Sequence, residues 1–276
     1  MSKTHKPKQW FGFTEDKVFG MLMENKEFCK YVLQAALPHL KIVDIKRPEL
    51  QKWLENEDRN AKDVRLDVLV MDGNEERIFN VEMQVVNKHN LDKRMRYYLS
   101  KVDAHYTLEP GQTYNNLKET YIIFLCDFDY FQKGWARYVV HEYVDQDKSL
   151  MLPTNSTKVI INAKGKLFGE NKKLQNVIKL RRGQKVTGDK DCDYAQKRIV
   201  EINNNEKLRR EIMDYETRML EREQEGEQKE ALRSAQGMAQ VIKDMGGTTA
   251  KAMQVLKQKY GQYFSEAELK EIIQKA

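Results

Sequence analysis

Two stretches near residue 70 place acids where apolar residues are expected. Arg65-Leu66-Asp67-Val68-Leu69-Val70 reads as a strand, as does Phe79-Asn80-Val81-Glu82-Met83-Gln84-Val85. Asp67, Glu82 and Gln84 stand inside these otherwise apolar runs. Burying a carboxylate costs several kcal/mol unless something pairs with it. Two carboxylates brought together call for a cation, a shared proton or a basic partner. A hard divalent cation such as magnesium takes one or two carboxylates, a carbonyl and several waters. It neutralises charge on a phosphate and helps generate hydroxide. Asp67 and Glu82 suit the carboxylate positions, the Met83 carbonyl suits the backbone position, and Gln84 suits a group that orients the attacking water. Phosphodiester hydrolysis is the chemistry this set fits.

A hairpin must position them. Val64 to Met71 and Ile78 to Val86 alternate as strands, and Asp72-Gly73-Asn74-Glu75-Glu76 between them is a turn signal. With a loop of Gly73 to Glu76, Asp72 pairs with Arg77 and Asp67 falls opposite Glu82. Glu82 and Gln84, two apart, then share its face, and Val81, Met83 and Val85 take the other. A slip of one residue would undo this.

The surrounding pattern predicts a mixed sheet with helices on its faces, an α/β class. Thr14 to Leu37 has helical spacing, with Thr14 as N-cap and Pro38 as its end. Lys41 to Arg47 is expected to be a strand, and Glu49 to Asn60 a loop or short helix. Leu91 to Tyr106 is an amphipathic helix with Leu91, Met95, Leu99, Val102 and Tyr106 on its buried stripe. Arg94, Tyr97, Lys101 and His105 run along another of its faces. Thr120 to Cys126 is a nearly continuous apolar run, as in a buried central strand. Tyr138 to Val144 and Lys158 to Asn162 are further strands. A boundary is expected between Gly183 and Asp193, dividing a core over 1–183 from a charged helical region over 194–276. Tyr194 to Lys243 reads as one or two long charged helices. Thr248 to Tyr260 is a short helix, and Ser265-Glu266-Ala267-Glu268 is a capping box that starts the last one. That helix is net acidic, which argues against its reading phosphates.

Composition sets the wider bounds. The 276 residues carry a net charge of +6, with 33% charged and 40% apolar. That is a charged surface around a real core, with a mild basic bias. Ten Lys/Arg against four Asp/Glu lie between Ser156 and Asp193, so the excess is concentrated there. No apolar run approaches the roughly 20 residues of a membrane span, and no apolar segment follows the basic N-terminus, so cytoplasmic residence is expected. The three cysteines form no CxxC pair, so neither a zinc site nor a disulfide framework is indicated. His89, His105 and His141 stand apart from acids at ligand spacing.

Asp67 followed by Glu82-Met83-Gln84 resembles the D…(D/E)-x-K signature of PD-(D/E)XK nucleases. Phe79 to Gln84 followed by Lys93-Arg94-Met95-Arg96-Tyr97-Tyr98-Leu99-Ser100 is similar to the PD-(D/E)XK family transposases, the Rpn-like recombination-promoting nucleases. In that group an E-x-Q strand precedes an R-x-x-Y-Y helix. Asp16-Lys17-Val18-Phe19 resembles the opening segment of the same group. The resemblance covers about Thr14 to Lys166. It implies a restriction-endonuclease-like core that cleaves double-stranded DNA with magnesium, or with manganese in its place, in bacteria or their mobile elements. It implies Asp67 and Glu82 as metal ligands, Gln84 at the usual lysine position, and Asp16 as an additional acid. Gln84 carries no positive charge, so Lys88, Arg94 and Lys101 become candidates to supply it. Lys88, Arg94, Tyr97 and Lys101 are also the candidate DNA contacts.

Other readings stay open. Asp67 and Glu82 also suit a structural ion pair with Arg65, Arg94 or Arg96. A degenerate nuclease core would bind nucleic acid without cutting it while the helical tail recruits partners; alternatively the tail dominates and the protein is an interaction module, a homo-oligomer through its C-terminal helices. An Asp67→Ala variant is expected to fold normally and lose cleavage.

Overall fold

The apolar run at 119–126 becomes the middle of the molecule. The computed structural model describes residues 10–54, 63–106 and 108–276, with no account of the Glu223 side chain. Six strands form one sheet: β1 (Glu49–Leu54), β2 (Val64–Met71), β3 (Arg77–Gln84), β4 (Glu119–Cys126), β5 (Arg137–Val140) and β6 (Ser156–Asn162). Their spatial order is β1-β2-β3-β4-β6-β5. β3, β4 and β6 run parallel, and the outer pairings are antiparallel. Parallel neighbours need a crossover, and helix α3 (Leu91–His105) provides it between β3 and β4.

The register of the β2–β3 hairpin is the one the loop length dictates. Val68 faces Val81, Met71 faces Ile78, and the Asp72 N–H donates to the Arg77 carbonyl at 3.1 Å. On one face Leu69, Ile78, Ile122, Phe124 and Ile160 pack under Leu91, Met95, Tyr98 and Val102 of α3. The other face, with Val68, Val70, Phe79, Val81, Ile123 and Val159, is equally buried. Helices α1 (Asp16–Met23), α2 (Lys26–Ala36), α4 (Lys172–Arg181) and α5 (Lys190–Asn204) contact one another, and α1 reaches β2.

Several expected elements differ. The helix expected over 14–37 is two, because Asn25 leaves helical geometry and its side chain caps α2 by accepting from the Phe28 N–H at 2.9 Å. Glu15, not Thr14, is the N-cap of α1. Among the described residues Lys41 to Arg47 forms one bridge, Ile45 to Asp72, rather than a strand. Glu49 to Leu54, expected to be a loop or short helix, is the edge strand β1, and residues 55–60 of that segment lie outside the described residues. Helix α5 contacts α1, α2 and α4. The first compact unit extends to Arg209, and the boundary expected between Gly183 and Asp193 falls inside it.

The second unit is Arg210–Ala276. It takes most of the long helix α6 (Glu206–Asp244), then α7 (Thr249–Tyr260) and α8 (Glu266–Lys275). Ala231, Ala235 and Ala239, one turn apart, let Leu256, Phe264, Leu269 and Ile272 approach closely. Thr248 and Ser265 cap α7 and α8. Among the described residues no helix is long and apolar enough to cross a membrane.

Candidate active site

The β2–β3 ladder stops one pair short of Asp67 and Glu82, and the side chains take over its hydrogen bonds. The Asp67 N–H donates to Glu82 Oε1 at 3.0 Å. The Met83 N–H donates to Asp67 Oδ2 at 2.9 Å. On the opposite side the β1–β2 register skips Gln51, whose φ of +52° sets it outside strand geometry. Each carboxylate is thus held by the backbone of the facing strand, where the strands part. The two acids are 7% and 0% exposed, respectively. Burial, and then the charge of Asp67, raises the Glu82 carboxyl well above its ordinary range. Burial raises Asp67 too, and Asp16 in the first turn of α1 adds to it, while the Met83 N–H, Arg65 and Arg94 oppose.

Helix α3 brings the compensating charge. Arg94 Nη1 donates to Gln84 Oε1 at 2.7 Å, and Nη2 reaches Glu82 Oε2 at 3.5 Å. Its Nε donates to the Tyr98 hydroxyl at 2.9 Å. The guanidinium also lies 4.9 Å from the Tyr98 ring centre and 5.5 Å from that of Phe124. Burial and the charge of Glu82 push Tyr98 up to about 12, so it stays a neutral hydroxyl. The Gln84 amide donates to the Met83 carbonyl at 2.5 Å. Arg94 therefore ties the acid at 82 to the amide at 84.

The structure brings Asp67, Glu82, Gln84 and Arg94 together, with Asp16 within electrostatic reach. It does not place Arg94 as a plain surface contact, because three residues accept its hydrogen bonds and the Phe124 ring lies beside it. Lys88 is exposed in the loop after β3. Tyr97 packs beside the sheet core, with Lys101 Nζ 5.4 Å from its ring centre. Two neighbours of these residues were not singled out by the sequence. Tyr98, one turn after Arg94, is the tyrosine that meets it, and the spacing of four was a usable signal. Arg181 of α4 bonds Asp127 Oδ1 at 2.6 Å and the Gln84 carbonyl at 3.1 Å, and also meets the Met83 sulfur. It lies within the basic stretch 156–193, where nothing marked it as buried.

Among the described residues no three His, Cys, Asp or Glu side chains converge as a metal-binding group. Two carboxylates stand at the strand opening, and the Met83 carbonyl follows Glu82 on β3; a donor set of that kind suits a hard divalent cation completed by water. Asn80 sits two residues before Glu82 on the same face and is fully buried. Its amide has no hydrogen-bond partner among the described residues, though its position favours the charged form of Glu82. Such an orphaned group is what a buried water or hydrated ion would satisfy. The residues present fit the cation. In the structure as it stands, Arg94 and the Gln84 amide cover two of its donors.

A six-stranded mixed sheet with three adjacent parallel strands, and buried acids at a strand opening, is the arrangement of a nuclease-type core. The family model for PD-(D/E)XK nuclease family transposases matches residues 7–162, more than half of the 276, and the chain belongs to that family. The fold is accordingly restriction-endonuclease-like, and PD-(D/E)XK nucleases typically use divalent metals. A search of curated proteins finds no match to the chain.

Proposed function

We propose that this protein is a magnesium-dependent DNA endonuclease. The observation that carries the reading is the buried Asp67–Glu82 pair, whose carboxylates replace the backbone pairing where β2 and β3 part. Like charges kept in such a place favour a cation or a proton. Asp67, Glu82 and the Met83 carbonyl would hold the metal. When bound, it would supply charge neutralisation on the scissile phosphate and a more acidic water. Asp16 adds negative potential at the same place.

The chain's own residues do the rest. Gln84 offers its amide to orient the attacking water. Arg94, held by Tyr98, supplies the positive charge that Gln84 lacks. In a site shielded from water a fixed guanidinium stabilises charge that develops on phosphate oxygens. Lys88, Tyr97 and Lys101 contact the DNA backbone beside it.

Asp67→Asn tests the reading. With supercoiled plasmid and increasing magnesium, the wild type should nick and linearise the DNA, and the variant should not. Circular dichroism should show both folded. Equal rates would make the assignment wrong. The Arg94–Glu82 contact favours a second reading, a silent core that binds DNA without cutting it. That reading predicts salt-sensitive binding with no cleavage in magnesium or manganese.

A further inference from the structure

The row Gln84–Cys126–Asn162 crosses the sheet at one level. Two strand spacings, about 10 Å, separate its ends. The loops that leave β4 and β6, residues 127–136 and 163–169, therefore emerge at the same end of the sheet as the acids. They are joined into one body. The Lys166 N–H donates to the Gly134 carbonyl at 2.9 Å, and the Asn162 amide to the Trp135 carbonyl at 3.0 Å. Arg182 bonds the carbonyls of Ala163 and Gly165 at 2.5 and 2.7 Å. The backbones are so close that a Cβ on Gly165 would lie 2.4 Å from Ala136 Cα. Tyr130 ties the first loop to Asp92, at the start of the helix that carries Arg94, at 3.0 Å.

This rigid body turns its rings outward. Phe131 is 44% exposed, Trp135 62% and Phe168 100%. Tyr138 orders two of them, with ring centres 5.0 Å from Phe131 and 5.5 Å from Trp135. Lys133, Lys164 and Lys166 are exposed among them. The acids of the same loops are engaged: Asp127 with Arg181, and Asp129 with the Gly134 N–H and the Tyr138 hydroxyl. With Asp127 paired to Arg181, Lys133, Lys164 and Lys166 stand against the single charge of Asp129, so the loops carry net positive charge, and their exposed large apolar side chains are aromatic.

We infer that these two loops form a stacking platform for unpaired nucleotides next to the cleavage site. Rings interleaved with lysines are the chemistry that holds single strands, the rings taking base faces and the lysines taking phosphates. A paired duplex hides its base faces, so it gains only the lysines. The substrate class is thus DNA with a single-stranded segment, such as an overhang, a flap or a melted end. The inference rests on the nuclease reading for what happens next to the platform, but not for the binding itself.

The test uses the full chain in EDTA, where no cleavage occurs, and fluorescence anisotropy with three labelled DNAs: a single strand, the matching blunt duplex, and that duplex with an overhang. The overhang DNA should bind at least about fivefold tighter than the blunt one, the effect of one stacked base. Phe168→Ala and Trp135→Ala should each weaken overhang and single-strand binding about fivefold or more and leave blunt-duplex binding unchanged. Replacing Lys133, Lys164 and Lys166 by Ala should flatten the salt dependence. Unchanged overhang binding by both ring variants would overturn the platform, even if the wild type cuts plasmid. Ring-dependent binding by a wild type that cuts nothing would support the platform while the nuclease reading fails.

Discussion

Removing Arg94 should expose how much of this site is held by one charge. Glu82 is 0% exposed and Arg94 about a third, 30%. Breaking a buried pair by deleting one partner costs about 3–5 kcal/mol. The partial exposure of Arg94 and the option for Glu82 to take a proton bring the expectation for Arg94→Met to about 3 kcal/mol near pH 7.5. In a unit ending at Arg209, that lowers Tm by about 6–12 °C. The loss should shrink as pH falls through the raised carboxyl of Glu82, because a neutral acid needs no partner. Glu82→Gln combined with Arg94→Met should recover most of it, since removing both partners of a buried pair is close to neutral. The three tryptophans, Trp10, Trp53 and Trp135, all precede Arg210, so their fluorescence follows unfolding of this unit. Simple additivity of the two substitutions, or a wild-type Tm for Arg94→Met at pH 7.5, would refute the reasoning.

Gln84→Lys should not raise activity alone, because its ammonium would face the guanidinium now 2.7 Å from Gln84 Oε1. Joined with Arg94→Met it should restore cleavage above that of Arg94→Met, as read in the plasmid assay. The folded-state carboxyls of Asp67 and Glu82 are raised above their ordinary 3.8 and 4.5. The pair's contribution to stability is therefore full below those values and is lost as pH rises through the folded ones. In EDTA the wild type should lose stability with rising pH relative to Glu82→Gln, and added magnesium should remove the difference; parallel melting curves would count against the coupling. Gly165→Ala meets backbone at 2.4–2.5 Å, with no flexible side chain to yield. It should cost about 2 kcal/mol in denaturant titration, and a neutral result would mean that the two loops are not locked.

The parts legible in the sequence are those set by local rules. Alternation, turn length and capping gave the hairpin register, the buried β4 and the starts of α7 and α8. The missed features depend on partners distant in sequence. Glu49 to Leu54 looked too polar for a strand, but an edge strand needs only one covered side, and Lys52 pairs with Leu66 in the β1–β2 register. The division of the first helix turned on one side-chain bond from Asn25. Arg181 resembled every other lysine or arginine of its stretch until α4 packed it over the end of β3. The acids at 67 and 82 were legible because they broke the alternation. The choice of Tyr98 over Tyr97 turned on where Arg94 extends, and sequence spacing alone offered both.

The hairpin opening also decides how the site must be probed. Asp67 Oδ2 is the acceptor for the Met83 N–H. Asp67→Ala would leave that buried N–H without its acceptor, at a cost of about 1–3 kcal/mol, so an Ala variant that folds is expected to fold with reduced stability. Lost cleavage in Asp67→Ala would then confuse a shifted strand with a lost ligand. Asparagine keeps an oxygen for the Met83 N–H and removes the charge. The same holds for Glu82→Gln, whose amide oxygen can still accept from the Asp67 N–H, a bond of 3.0 Å in the wild type. The atoms that complete the backbone pairing are the atoms that would hold the cation. Chemistry and folding are therefore separable here only by substitutions that change charge and keep shape.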